Sequence, residues 1–289
     1  MKIVKTNQDL KNSIKSLKEE SKNITEFKTP IVAFVPTMGA LHKGHISLVE
    51  KAKKEADIVI ASIFVNPTQF KEGEDFGVYP RVEAYDCNKL EEQGIDIAFI
   101  PEIDEIYSDG VKKDNIKLQN ADILEGESRE GFFYGVATVV NKLFDIVKPD
   151  KAYFGEKDYQ QLQIIKQISY MREDNIEIIS VATKRESSGL ALSSRNLYLS
   201  SEEKEIAPYL YKSLCSAKSM YEDGLSIDKI EMKITNYLIE KGFSSVDYIS
   251  IRKDNLEVID KSINSNSENK IRILAAAYLG NTRLIDNIE

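Results

Sequence analysis

The sequence predicts an α/β protein, with a Rossmann-like, doubly wound parallel sheet followed by a smaller C-terminal α+β domain. Three observations carry this prediction. Short apolar runs alternate with amphipathic stretches through most of the first 180 residues, the apolar runs are continuous, and the pattern changes after residue 183. Continuous apolar strands that alternate with helices are typical of a parallel sheet covered on both faces. We therefore expect two domains, 1–183 and 184–289.

The apolar runs and the helical spacings give the expected order of elements. The N-terminus reads as a strand and then a helix, and further strands are predicted at 31–36, 57–65, 95–101, 151–158 (with its turn) and 176–183. Helices are predicted at 46–56, 81–94, 135–149 and 159–171. The C-terminal domain is expected to have two helices, 200–224 and 226–242, two short strands, 246–252 and 271–280, and a polar loop at 260–270.

Composition excludes several classes of protein. A net charge of −8 argues against a broad nucleic-acid surface, which needs clustered Lys and Arg. The sequence has no run of eighteen apolar residues, so we expect no membrane span, and the charged N-terminus does not resemble a secretion signal. Cys87 and Cys215 lack the spacing of a metal site or a redox pair. These features favour a cytoplasmic globular protein.

Polar turns follow three of the predicted strands. "PTMGALHKGH" (36–45), "NPTQF" (66–70) and "GEKDYQQ" (155–161) each come directly after an apolar run. Ligands of open parallel sheets bind outside the carboxyl ends of the strands. The three turns together therefore predict a ligand site at this edge of the sheet.

The chain has only two histidines, His42 and His45, and both fall in the first of these turns. We place them in the first turn of the following helix, where unpaired N–H groups and the helix dipole favour an anion. The same dipole disfavours imidazolium, so we expect neutral rings that donate N–H. Gly39 and Gly44 would let the backbone approach a phosphate closely. The alternative is a capped helix with two exposed histidines and no ligand.

The pattern H-x-G-H between a strand and a helix resembles the HIGH signature of ATP-binding nucleotidyltransferases. A larger set of segments resembles the pantothenate synthetase (pantoate–β-alanine ligase) family, and the likeness covers nearly the whole chain. These segments are "VPTMGALHKGHISLV" (35–49), "SIFVNPTQF" (62–70), "DFGVYPR" (75–81), "LEGESREGFFYGVATVVNKLF" (124–144), "AYFGEKDYQQLQIIKQ" (152–167) and "GLALSSRNLYLS" (189–200).

The resemblance implies an ATP-dependent ligase of pantothenate and coenzyme A biosynthesis. Enzymes of this family form pantoyl adenylate and pyrophosphate from (R)-pantoate and ATP with Mg²⁺, and the β-alanine amine then displaces AMP. The resemblance also implies a homodimer that associates through the larger domain. It implies no nucleic-acid or membrane partner. The residues that would hold Mg²⁺ are not identified by the sequence.

The same resemblance assigns the site residues. Pantoate would be held by Asn66, Gln69 and Gln161. Four residues would act in catalysis: His42 and His45 by stabilising charge, with Lys157 and Arg195 on the phosphates. Asp158 would face the ribose or the metal ion. The full ATP-binding set is Met38, Gly39, Ala40, Leu41, His42, Lys43, Gly44, His45, Gly155, Glu156, Lys157, Asp158, Lys184, Leu192, Ser193, Ser194 and Arg195.

The segment that leads into the smaller domain carries two interpretations. By resemblance, Ser193, Ser194 and Arg195 would close over the β- and γ-phosphates. The Ser-rich stretch 187–194 also reads as a hinge, and closure needs a hinge. Both interpretations give the smaller domain the role of a lid.

The chain departs from the usual pattern of the family at three positions. Glu130 stands in place of proline and Phe132 in place of histidine in "SREGFF", and Ser188 replaces an aspartate. Phenylalanine cannot donate a hydrogen bond, so any polar role of that position is absent or relocated.

Three other functions are alternatives to the ligase. They are another HIGH-type nucleotidyltransferase acting on a phosphate-bearing substrate, a tRNA synthetase, and a nucleotide-binding regulator without catalysis. The few basic residues around the predicted site disfavour the first and the acidic composition disfavours the second. The intact set of phosphate-contacting residues disfavours the third. ATP turnover that depends on both an acid and an amine would discriminate all three from the ligase.

Overall fold

The computed structural model describes residues 1–24, 29–70, 75–77, 79–259 and 270–289. The predicted polar loop at 260–270 lies, except for Lys270, outside the described residues.

Within the described residues, six strands form a parallel sheet. They are β1 (Lys2–Val4), β2 (Val32–Thr37), β3 (Ile58–Ile63), β4 (Ile97–Phe99), β5 (Lys151–Gly155) and β6 (Glu177–Val181). Their order across the sheet is β1-β4-β3-β2-β5-β6, and every neighbouring pair is parallel. All of β3 and the first four residues of β2 are buried. Burial on both faces explains why these strands show no polar alternation.

Helices cover both faces of the sheet. Those associated with it are α1 (Asn7–Ile24), α2 (Lys43–Glu55), α3 (Glu83–Glu92), α4 (Ile103–Ile106), α5 (Glu125–Ser128), α6 (Phe132–Val147) and α7 (Tyr159–Met171). On one face α2 and α3 pack over alternate strand residues such as Val35 and Ala61. The intervening residues Phe34 and Ile60 point to the opposite face of the sheet and are also fully buried. Helix α1 contacts strands β3 and β4 and also helix α6.

The strand order reverses next to β2. The chain passes from β2 through β3 to β4 on one side, and then continues through β5 and β6 on the other side of β2. Open parallel sheets bind their ligands at such a reversal, outside the carboxyl ends of the strands. Thr37 ends β2 and Gly155 ends β5. The sheet order therefore places the strand ends that precede the first and third predicted polar turns next to each other.

The structure divides into two compact units. The first comprises Met1–Glu156 and Gln161–Ala182, and the second comprises Lys157–Gln160 and Thr183–Glu289. The second contains helices α8 (Ser201–Ile206), α9 (Tyr209–Glu222) and α10 (Ile227–Glu240), and strands β7 (Ser245–Lys253), β8 (Ile271–Leu279) and β9 (Thr282–Ile288). These three strands form an antiparallel sheet in the order β7-β8-β9. Its core includes Leu214 from α9, Ile234 from α10 and Ala275 from β8.

Two details of the smaller unit differ from the sequence prediction. The helix expected at 200–224 is broken into α8 and α9, because Pro208 has no N–H to continue the ladder of hydrogen bonds. A third strand, β9, was not predicted. It pairs with β8 across a two-residue turn in which Gly280 has a φ of 56°. The Gly-Asn dipeptide at 280–281 was the available signal for this hairpin.

Candidate active site

The turn after β2 places His42 and His45 at the start of α2. His42 is the N-cap residue, and its Nδ1 accepts the Gly44 backbone N–H at 3.0 Å. His45 reaches back, and its Nδ1 accepts the His42 backbone N–H at 3.3 Å. These reciprocal bonds satisfy two of the amides that a helix leaves unpaired at its N-terminus. They also explain why α2 begins at Lys43, three residues before the predicted start at 46.

The two imidazole rings lie side by side. Their centroids are 4.1 Å apart, with 32° between the ring planes. Because each Nδ1 accepts a hydrogen bond, the proton of each neutral ring is on Nε2. Each ring therefore has an Nε2–H donor on the side away from the helix cap. This arrangement can stabilise negative charge without placing a second positive charge at the helix N-terminus.

A carboxylate from α3 holds the backbone that leads into His42. Asp86 is 1 % exposed, and its two oxygens accept the backbone N–H groups of Ala40 at 2.8 Å and Leu41 at 2.7 Å. Lys89, one turn later on α3, donates to the Leu41 carbonyl at 2.5 Å. Ala40 has a φ of 50°, so these bonds fix a conformation that non-glycine residues rarely adopt. Neither Asp86 nor Lys89 was predicted from the sequence.

Gly39 lies against the same carboxylate. Its φ is 82°, and a Cβ there would lie 3.0 Å from Asp86 Oδ2 and 3.1 Å from Ile63 Cγ2. The glycine therefore permits the close approach of Asp86. Met38 and Gly39 also line a cavity of about 300 Å³ at the carboxyl ends of β3 and β4.

The second polar turn forms a buried network around Asn66. This side chain is 1 % exposed, and its Nδ2 donates to Gln69 Oε1 at 3.0 Å and to the Gly135 carbonyl at 3.2 Å. Its Oδ1 accepts from the Thr68 N–H at 3.3 Å and from the Tyr107 hydroxyl at 2.6 Å. Asn66 therefore holds the turn and the Gln69 side chain. Within the described residues, nothing accepts from Gln69 Nε2, so this amide group remains available.

Tyr107 was not predicted from the sequence. Burial raises the pKa of its hydroxyl, and the hydrogen bonds with Thr68 and Asn66 oppose that shift more weakly. The phenol is therefore protonated at neutral pH and donates to Asn66 Oδ1. No local pattern reveals this residue, because it lies 41 positions from its partner.

The turn after β5 contains the third predicted group. Gly155 ends the strand, and a Cβ at this position would meet nothing within 4 Å. Glu156, Lys157 and Asp158 follow in a single 3-10 turn. The Lys157 side chain is 18 % exposed, and its Nζ lies 3.6 Å from Asp158 Oδ2. Gln161, in the first turn of α7, is half-buried, and its side chain makes no hydrogen bond with the described part of the chain.

Within the second unit, three of the predicted phosphate-binding residues meet. Lys157, Ser193 and Arg195 line a cavity of about 10 Å³, which has room for about one water molecule. Ser193 Oγ caps a 3-10 turn, Ser194–Tyr198, by accepting the Arg195 N–H at 3.3 Å. The Lys157 carbonyl accepts from Asn287 Nδ2 at 2.9 Å, which ties this lysine to β9.

The segment predicted as a hinge folds back on itself. The Leu192 N–H donates to the Lys184 carbonyl at 2.9 Å, and the Glu186 N–H donates to the Leu190 carbonyl at 2.8 Å. Ser188, which stands where the resemblance expects an aspartate, accepts the Leu190 N–H at 3.4 Å. The Lys184 side chain is exposed.

The chain matches one protein family over nearly its whole length. The family model described as pantoate-beta-alanine ligase matches residues 2–289. This chain belongs to the pantoate–β-alanine ligase family.

Relatives and solved structures agree with this membership. A pantothenate synthetase of Caldicellulosiruptor saccharolyticus is 43 % identical over 290 residues, which span 100 % of this chain and 99 % of the relative. A crystal structure of pantothenate synthetase from Thermus thermophilus has a TM-score of 0.86 at 37 % identity, covering 100 % and 99 % of the two chains. A pantoate-beta-alanine ligase structure from Francisella tularensis, complexed with beta-gamma ATP and beta-alanine, has a TM-score of 0.79 at 39 % identity, covering 100 % and 97 %.

These comparisons confirm the predicted fold class and the ligase function. The parallel sheet with a smaller antiparallel sheet is the architecture of the ligase family's solved structures. The assignment of individual site residues stays a prediction. Among the described residues, no helix is long and apolar enough to span a membrane.

Proposed function

We propose that this ligase joins pantoate to β-alanine in two steps, using ATP and Mg²⁺. The pantoate carboxylate attacks the α-phosphorus, which gives pantoyl adenylate and pyrophosphate. The β-alanine amine then attacks the acyl carbon and AMP leaves. The observation that carries this proposal is the pair of adjacent histidine rings, held by their Nδ1 atoms at the N-terminus of α2, beside the point where the strand order reverses.

The two histidines act on the charge that develops during the first step. As the carboxylate attacks, negative charge grows on the phosphoryl oxygens, and preorganised donors stabilise that charge more than the ground state. The Nδ1 bonds hold both rings in one tautomer before ATP arrives. Because the rings are neutral, they stabilise the transition state as donors and need not transfer a proton.

Neutral amides suit the recognition of pantoate. In our proposal, Gln69 and Gln161 bond its hydroxyl groups, since an amide can donate or accept and adds no charge that competes with the carboxylate. Asn66 remains a predicted pantoate-site residue. Because its side chain bonds Gln69, Gly135, Thr68 and Tyr107, we propose that it serves this site by holding Gln69.

Lys157, Ser193 and Arg195 would bind the β- and γ-phosphates, and the cavity that they share would have to widen to admit them. Mg²⁺ usually binds through one or two carboxylates and the substrate phosphates. The described residues contain no group of three acidic, His or Cys side chains that could hold a metal ion. This donor set fits an ion that arrives with ATP, with Asp158 as the carboxylate beside Lys157. When bound, Mg²⁺ would neutralise charge on the leaving pyrophosphate.

We further propose that the enzyme is a cytoplasmic homodimer, as family membership suggests. The larger domain, 1–183, would bind the substrates and mediate dimerisation. The smaller domain, 184–289, would act as a lid that keeps water from the reactive adenylate.

The decisive experiment separates the two steps. Pyrophosphate release is measured with ATP, Mg²⁺ and pantoate in the absence of β-alanine, and AMP release is measured after β-alanine is added. We expect a pantoate-dependent burst of pyrophosphate near one per active site, followed by steady AMP formation only with β-alanine. Pyrophosphate release that does not depend on pantoate would contradict the substrate assignment.

A further inference from the structure

The half-buried ring of Phe132, at the start of α6, contacts an arginine that reaches the predicted pantoate site. The Arg129 guanidinium carbon lies 3.9 Å from the centroid of the Phe132 ring. Arg129 Nη2 also donates to the Gln69 carbonyl at 3.0 Å. One side chain is therefore stacked on an aromatic face and bonded to the backbone of a proposed substrate-binding residue.

A tight connection between α5 and α6 brings the arginine and the ring together. The Arg129 N–H donates to the Glu125 carbonyl at 2.9 Å, and the Phe132 N–H donates to the Arg129 carbonyl at 2.9 Å. Gly131, between them, has a φ of 76°, which turns the chain into α6. The Phe132 ring also packs edge-on against Phe133, at 5.0 Å between centroids. Phe133 is 1 % exposed, so the ring is anchored to the core.

Gln69 is held at two points by this arrangement. Asn66 bonds its side-chain Oε1, and Arg129 bonds its main-chain carbonyl, the last of a short 3-10 turn. A positively charged group is favoured at the C-terminal end of a helical turn, where unpaired carbonyl groups carry partial negative charge. With both the backbone and Oε1 held, the direction of Gln69 Nε2 is determined. That group is the one left available for a ligand.

We propose that Phe132 and Arg129 are positioning residues for pantoate. The aromatic face orients the guanidinium, the guanidinium fixes the Gln69 backbone, and the Gln69 amide meets the substrate. This proposal rests on the proposed function, because Gln69 must be the residue that binds pantoate. It assigns to Phe132 a role that needs a ring and no hydrogen bond.

The test is a double-mutant cycle on the KM for pantoate, measured by pyrophosphate release at saturating ATP. Phe132→Leu removes the ring, and we expect the KM for pantoate to rise about 3- to 10-fold, the size of a partly buried cation–π contact. Arg129→Ala removes the charged hydrogen bond, and we expect a rise of about 10- to 100-fold. The KM for pantoate of the double variant should equal that of Arg129→Ala alone, because Phe132 acts through the arginine.

Two further variants separate positioning from general damage. Phe132→Tyr keeps an aromatic face and should restore a KM near that of the parent. Glu130→Ala changes an exposed neighbour in the same turn and should leave the KM for pantoate unchanged. The KM for ATP should be unaltered in all variants.

Three outcomes would overturn the proposal. They are an unchanged KM for pantoate in Phe132→Leu, additive effects in the double variant, or a KM for β-alanine that rises in place of the KM for pantoate in Arg129→Ala. The last result would mean that Arg129 contacts β-alanine directly. A parent enzyme without pantoate-dependent pyrophosphate release would instead contradict the proposed function, so the two failures are distinguishable.

Discussion

At the scale of single residues, functional side chains that lie close together along the chain can be predicted from the sequence. Contacts between residues that are far apart in the sequence cannot. His42 and His45 could be found because they are three positions apart and fall between a strand and a helix. Asp86 and Tyr107 could not, because each contacts its partner across more than forty residues. Their side chains carry no motif of their own, and only the folded chain shows what they hold.

His42 has two roles, as the N-cap residue of α2 and as a proposed hydrogen-bond donor to ATP. His42→Asn keeps a side-chain acceptor for the Gly44 N–H but removes the Nε2–H donor. We expect pyrophosphate release to slow about 10²- to 10³-fold while thermal stability changes little, because Asn is a strong N-cap residue. We expect His42→Ala to slow pyrophosphate release by the same factor and, in addition, to lower the free energy of unfolding by about 1 kcal/mol.

The measurements are the pyrophosphate assay and thermal unfolding of each variant. Glu50→Ala, on the exposed face of α2, serves as the control. A wild-type rate in His42→Asn would show that this ring only caps the helix.

At the scale of elements, periodicity predicted most of the fold. The helix at 159–171 has the predicted bounds, and the strands of the parallel sheet lie within or close to the predicted ranges. The errors arise where a single residue or a tertiary contact overrides the pattern. Pro208 divides one helix, and α2 starts early because two histidine side chains replace the usual capping residues. The third strand of the smaller sheet depends on its pairing with β8.

A charged cluster that links elements of the larger unit makes stability depend on pH. The Arg172 guanidinium, just after α7, bonds Asp174 and also Asp145 on α6. The hydrogen bond from Arg172 holds the pKa of Asp174 below its usual value. An aspartate whose folded pKa is lowered adds stability above its unfolded pKa, about 3.9, and loses that contribution as the pH falls through the folded value.

We therefore expect Asp174→Asn to lower the free energy of unfolding at pH 7, and this difference from the parent to vanish as the pH falls from about 4 toward 2. The Asp174 side chain is 39 % exposed, so we expect a loss of about 0.2–1 kcal/mol at neutral pH. Chemical denaturation across this pH range measures the effect. Asp109→Asn, an exposed aspartate elsewhere in the chain, provides the comparison. A difference that persists unchanged at pH 2.5 would contradict the assignment.

At the scale of the whole molecule, three of the proposed phosphate-binding residues belong to the smaller compact unit. Lys157 packs with Ser193 and Arg195 in this smaller unit, although it follows a strand of the larger one. The sequence prediction placed Lys157 within 1–183, because it directly follows a strand of the large sheet. Sequence order does not show which unit a short turn packs with.

We expect the smaller domain to move when ligands bind. Small-angle scattering profiles of the enzyme should differ between the unliganded protein and the protein with ATP plus pantoate, because ligand binding favours a closed arrangement. AMP in place of ATP should leave the profile close to the unliganded one, since AMP lacks the β- and γ-phosphates that Ser193 and Arg195 would bind. Superimposable profiles with and without ATP plus pantoate would remove the support for a moving lid.

The buried carboxylate of Asp86 has a consequence for how tightly a nucleotide can bind. Fixing one residue of backbone costs about 1–2 kcal/mol of conformational entropy. Ala40 and Leu41 have already lost this freedom during folding, because Asp86 and Lys89 hold them without any ligand. A nucleotide bound at the proposed site would therefore meet a loop that is already ordered, and the free energy of its contacts with that loop would not be reduced by the entropy of ordering it.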